Sequence, residues 1–134
     1  MTIVTEYGIV PTLLLVGVAL INLAPGAACF LPAPRLASAY GLSDLSQADR
    51  DLVSLLRHRA VMLGIVGGVL LAAVVLGAEL LLPMAAAAVS MISFVLLVLP
   101  ISDLHVRLRR VAAVDLVGIF MLGVAVIMMA FAGG

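Results

Sequence analysis

The chain has 134 residues, of which 66% are hydrophobic and only 10% charged, with a formal net charge of zero and a mean hydropathy of +1.38. A soluble domain is about half apolar and about a quarter charged. This composition therefore excludes an ordinary water-soluble protein and indicates one membrane-embedded domain over residues 1–134. The zero net charge gives no case for nucleic acid as a partner. A single cysteine, Cys29, excludes an intramolecular disulfide and a multi-cysteine metal site.

Four apolar runs are long enough to cross a bilayer as helices. A hydrocarbon core about 30 Å thick requires roughly 20 apolar residues in a helix, and backbone groups in lipid must be bonded within their own segment. The predicted spans cover about residues 9–31, 57–78, 80–101 and 110–132. The sequence thus predicts an all-α, integral membrane four-helix bundle. Because residues 1–8 contain no Arg or Lys, we do not expect the first run to be a cleaved signal peptide.

The connection between the first two spans is the longest polar stretch. Pro32 and Pro34 are expected to end the first helix, and residues 35–41 to form a short interfacial turn. Ser46 and Asp49 resemble a capping box in spacing. They predict a short cytoplasmic interfacial helix that precedes the second span and runs into it.

Glycine and proline predict how the helices are joined and packed. Gly77 and Pro83 indicate a tight hairpin between the second and third spans, because proline suits the first turn of a helix. Gly64, Gly67 and Gly68 lie in the second span. Close approach of helices in lipid requires such small residues, so we interpret these glycines as a packing face rather than a ligand site.

All the basic residues lie in the first-to-second or the third-to-fourth connection, or in the first turn of the span that follows it. Arginine in the loops of a membrane protein is retained on the cytoplasmic side. The sequence therefore predicts that these two loops are cytoplasmic and that both termini lie on the periplasmic or extracellular side. The basic residues are Arg35, Arg50, Arg57, Arg59, Arg107, Arg109 and Arg110.

Ionisable groups near the hydrocarbon are the candidates for chemistry, because an uncompensated charge there costs several kcal/mol. Asp115 is the deepest, and Arg57 is its predicted partner because it shares a helix face with Gly64, seven residues on. Arg59 projects from the other side of that helix and is expected to reach the headgroups. The structural alternative is a salt bridge that only joins the second helix to the fourth.

Two functions of different classes remain open. The first is a protein that binds membrane lipid or another apolar small molecule such as a quinone or isoprenoid, or that serves as an accessory subunit of a membrane complex. The second is a membrane-embedded acid–base enzyme of the isomerase or cyclase type. Its catalytic groups would be Asp115, His58 and Arg57, and its ligand-binding groups Asn22, Asp103, His105 and Arg59.

No cofactor is predicted, and a haem held by histidine stays an alternative. A metal site is not predicted, because the sequence lacks His-x-x-x-His, Glu-x-x-His and Cys-x-x-Cys-His. We expect a homo-oligomer or a place in a larger membrane complex, since the bundle is small and rich in glycine.

Three segments resemble the DoxX-like family of small bacterial four-helix membrane proteins. They are FLPAPRLASAYGL at 30–42, LLRHRAVMLGIVGG at 55–68 and RRVAAVDLVGI at 109–119. The resemblance lies in pattern over most of the chain, not in a catalytic signature. It implies a bacterial inner-membrane protein of a family mostly without assigned activity, some members of which are linked by name to quinone-reducing complexes.

Overall fold

A computed structural model describes residues 3–39 and 47–133. In these ranges the chain forms six α-helices and one 3-10 turn, with no strand. Four segments have the length and apolarity to cross a membrane: Ile9–Phe30, Arg50–Leu76, Leu81–Val98 and Val106–Ala132. The predicted all-α, multi-pass architecture is confirmed.

The first span is preceded by a short helix and ends in a 3-10 turn. Helix α1 covers Ile3–Tyr7 and α2 covers Ile9–Ala27. Gly8, between them, has a φ of 91°, which is accessible to glycine at little steric cost. The 3-10 turn follows at Ala28–Phe30, so regular α-helix ends earlier than the sequence predicted.

The connection between the first two spans is more helical than predicted. Helix α3 spans Ala33–Ala39 where a turn was expected. Its Leu36 and Ala37 are buried against Val53 of the next helix in a second, smaller core. Helix α4 then runs without a break over Gln47–Leu76, which confirms that the interfacial helix continues into the second span. The predicted N-cap, Ser46, lies outside the described residues.

The hairpin after α4 has the predicted form. Gly77 has a φ of 65°, and the Ala78 N–H donates to the Ala73 carbonyl at 2.9 Å, the closing bond of a Schellman cap. Helix α5 covers Leu81–Val98, with Pro83 in its first turn. It ends before Pro100, which has no N–H to continue the helical hydrogen bonds.

Helix α6 covers Val106–Ala132 and begins at an N-cap residue, His105. It therefore starts about one turn before the predicted fourth span. Within the bundle, α2 packs most extensively on α4 and then on α6, while α5 packs on α6 and more sparsely on α4. The order around the bundle is thus α4, α2, α6, α5, and α4 and α6 lie across from each other.

Glycines bring α2 and α4 close together, as predicted. A Cβ added to Gly26 would lie 2.7 Å from the Cα of Gly64. A Cβ added to Gly67 would lie 2.6 Å from the Ala19 carbonyl oxygen and 2.7 Å from the Leu23 nitrogen. These glycines therefore permit a backbone approach that any larger residue would prevent.

The outer faces of the spans are apolar. Leu82, Leu97 and Phe120 are 76%, 73% and 72% exposed, and they belong to a much larger set of exposed aliphatic and aromatic side chains. A soluble monomer rarely exposes a contiguous apolar surface of this extent. Lipid is the solvent that suits these faces, and the chain is a multi-pass membrane protein.

Candidate ligand site at the arginine end

Arg59 of α4 lies against α5. It is half-buried, and its Cζ atom lies 4.2 Å from the centroid of the Phe94 ring on α5. A cation over an aromatic face gains about 0.5–2 kcal/mol, more where water is excluded. No spacing in the sequence connects these two residues, so the contact could be seen only in three dimensions.

Asp115 is half-buried on α6, and the arginine whose charge acts on it is Arg59. The interaction is coulombic and joins α4 to α6 across the bundle. The predicted pairing of Asp115 with Arg57 is therefore wrong in its choice of arginine.

Arg57 instead joins α4 to the end of the first span. Its Nη2 donates to the Leu31 carbonyl oxygen at 3.1 Å, and its side chain is exposed. The prediction placed Arg57 on the face of Gly64, and that face packs on α2. An arginine on this face therefore meets the chain that leaves α2.

The two histidines and Asp103 are exposed at the end of the bundle that carries the arginines, called here the arginine end. His105 accepts the Arg107 N–H through Nδ1 at 3.3 Å, so it caps the first turn of α6. His58 is exposed on α4, and Asp103 is exposed in the loop before α6. Of the residues in the cluster predicted from three helices, Arg59 is the one whose charge acts on Asp115.

Asn22 is almost completely buried, with 2% exposure. Its Nδ2 donates to the Val18 carbonyl oxygen at 3.0 Å, within α2 itself. One donor of the side chain is therefore used within the helix, and none of the grooves described below is lined by Asn22. The prediction that Asn22 lines a pocket finds no support in this arrangement.

The sparse contact between α4 and α5 leaves a groove of about 660 Å³ open towards the lipid, called here the α4–α5 groove. It is lined by residues of α4 from Arg59 to Val66 and of α5 from Leu82 to Leu97. Its walls are apolar apart from Arg59, Ser90 and Ser93. At 1.5 Å per residue, the fifteen-residue separation along α5 gives a length of about 22 Å.

Asp115 lines a different groove, of about 440 Å³, between α2 and α6. The other polar residue there is Arg110, and the remaining lining residues, among them Leu20, Ile21 and Pro25, are apolar. This groove and the α4–α5 groove lie on opposite sides of the bundle. Arg59 lines one groove and Asp115 the other. A charged ligand in one groove would therefore change the electrostatic potential in the other.

Within the part of the chain that the structure describes, no three His, Cys, Asp or Glu side chains are grouped so as to hold a metal ion. No protein-family model, curated protein or solved structure matches the chain.

Proposed function

We propose that this protein binds an apolar small molecule of the membrane, such as a lipid, quinone or isoprenoid, in the α4–α5 groove. The observation that supports the proposal is the groove itself: about 660 Å³, apolar along its length, with Arg59 at one end. Small-molecule sites have volumes of about 300–1,000 Å³ and few polar groups, placed to orient the ligand. The role of an accessory subunit in a larger membrane complex is the variant of this proposal in which a protein helix fills the groove.

The test is native mass spectrometry of the protein released from mild detergent, with a matched pair of variants. Ala86 lines the groove and Ala72 is exposed on α4 away from it. Ala86→Phe should remove a bound small molecule, whereas Ala72→Phe, the same change in volume on another lipid-facing surface, should retain it. Equal retention in both variants would refute a site in the groove. A protein chain in place of a small molecule would establish the accessory-subunit variant.

The orientation is also part of the proposal. We place the arginine loops in the cytoplasm and the termini outside, in the bacterial inner membrane, as the charge pattern and the DoxX-like resemblance imply. A Ser46→Cys substitution in a chain with Cys29 replaced by serine should not react with a membrane-impermeant thiol reagent added from outside. Labelling from outside would overturn this topology. The mass of the native particle tests the predicted homo-oligomer in the same preparation.

The alternative function is a membrane acid–base enzyme, and the position of Asp115 favours it. Asp115 is a half-buried carboxylate that lines the groove between α2 and α6, and the positive charge of Arg59 acts on it. Such a group is suited to accept and donate a proton. Comparison of membrane lipids from cells that produce the wild type or Asp115→Asn tests it: an enzyme would give a product that the variant does not. An identical lipid profile would refute the enzyme, and the lack of a Soret band in the purified protein would refute its haem-dependent form.

A further inference from the structure

We propose that the occupant of the α4–α5 groove is an anionic phospholipid, with one acyl chain along the groove and its phosphate on the Arg59 guanidinium. The inference rests on the proposed function, since it names the class of apolar molecule that the groove would take. It goes further in assigning a charged headgroup and in giving Arg59 the role of the selective residue.

The first argument is that Arg59 has no hydrogen-bond acceptor among the residues that the structure describes. A guanidinium carries five N–H donors, and the stacking on Phe94 uses its face and leaves the N–H edge free. No described residue accepts a hydrogen bond from Arg59, and Asp115 acts on it only through coulombic attraction. These donors are accessible from outside the protein, and a charged group that faces hydrocarbon instead of water is costly. An acceptor from outside the protein would remove this cost.

The second argument is charge complementarity. None of the groove-lining residues is acidic, so Arg59 gives this end of the groove a positive charge. Phosphate and guanidinium match in geometry and form paired, charge-assisted hydrogen bonds. A neutral quinone or an isoprenoid alcohol would bring no anionic oxygen to Arg59, and a zwitterionic lipid would bring a cation close to it.

The third argument is the length of the groove. It extends about 22 Å from the level of Leu97 to that of Leu82, whereas one leaflet of the hydrocarbon core is about 15 Å deep. The groove is therefore long enough to hold the whole of an acyl chain whose headgroup is bound at Arg59. Ser90 and Ser93 also line the groove, so the polar groups gather on the side of Arg59, where the ester linkages of such a lipid would lie.

The experiment uses the full chain in nanodiscs with equal amounts of phosphatidylglycerol and phosphatidylcholine. Native mass spectrometry after removal of the disc counts the lipids that stay bound. One basic residue near a membrane surface contributes about 1 kcal/mol towards anionic lipid, so we expect one retained phosphatidylglycerol per chain and a preference of about fivefold over phosphatidylcholine.

Arg59→Gln should abolish the preference, whereas Arg107→Gln should retain it. Arg107 is exposed at the same end of the protein and does not line the groove, so its loss removes the same charge from the same side. Arg59→Lys keeps the charge without the planar donors and should retain a reduced preference. This second variant keeps the test decisive if Arg59→Gln fails to fold.

The outcomes separate this inference from the proposed function. If Arg59→Gln keeps the preference, or if Arg107→Gln loses it equally, Arg59 does not select the lipid and the inference is overturned. If both lipids bind equally in the wild type and Ala86→Phe displaces them, the groove binds a neutral molecule, so the proposed function survives without the anionic headgroup. If Ala86→Phe also changes nothing, both are refuted.

Discussion

Gly67 lies where α4 crosses close to the backbone of α2, so its replacement by alanine tests the packing of the two helices directly. The added Cβ would lie 2.6 Å from the Ala19 carbonyl oxygen, 2.7 Å from the Leu23 nitrogen and 2.9 Å from the Leu23 Cγ atom. Two of these three atoms belong to the backbone of α2, which cannot give way as the end of a flexible side chain can. The two helices would therefore have to move apart.

The expected cost follows from two opposing effects. Extra atoms in a well-packed core cost about 1–3 kcal/mol, and contact with backbone places Gly67 at the upper end of that range. Alanine recovers about 1 kcal/mol of helix propensity relative to glycine. We therefore expect Gly67→Ala to lower the free energy of unfolding by about 2 kcal/mol.

Gly123 provides a control within the same protein. It is exposed on α6, and a Cβ added there would meet nothing within 4 Å. Gly123→Ala should therefore stabilise the protein by up to about 1 kcal/mol through helix propensity alone. Far-UV circular dichroism during unfolding in detergent measures both variants. If Gly67→Ala proved as stable as Gly123→Ala, the close approach of α2 and α4 would be wrong.

Three further predictions concern other parts of the chain. Leu36→Ala should lower the free energy of unfolding by about 2–5 kcal/mol, because Leu36 is completely buried and its loss leaves a cavity; hydrogen exchange should then show faster opening of α3. His105→Ala should cost about 1 kcal/mol through the lost cap of α6, visible as faster amide exchange in that helix's first turn. The Glu6 carboxylate, by accepting a hydrogen bond and by its charge, raises the pKa of the Tyr7 phenol above 10.0. In a Tyr40→Phe chain the ultraviolet titration should therefore shift downward when Glu6 is replaced by glutamine, and an unchanged titration would contradict the contact.

The error about Arg57 shows what helical phase can and cannot predict. Seven residues place Arg57 and Gly64 on one face, and the structure agrees, since both meet the first span or the chain that leaves it. The sequence did not say which helix that face would meet. Arg59, on another side of α4, became the residue that contacts α5 and acts on α6. Its partners depend on the order of the helices around the bundle, which is a tertiary property.

The number of spans, their helical character and the hairpin at Gly77 follow from the sequence alone. Apolar runs of bilayer length have only one way to satisfy their backbone in lipid, and a glycine at positive φ ends α4 where the pattern predicts it. The helix α3, the contact of Arg59 with Phe94 and the gap between α4 and α5 were decided only by the tertiary structure. Each depends on how closely two helices pack, and the four spans are too uniformly apolar for composition to distinguish one neighbour from another.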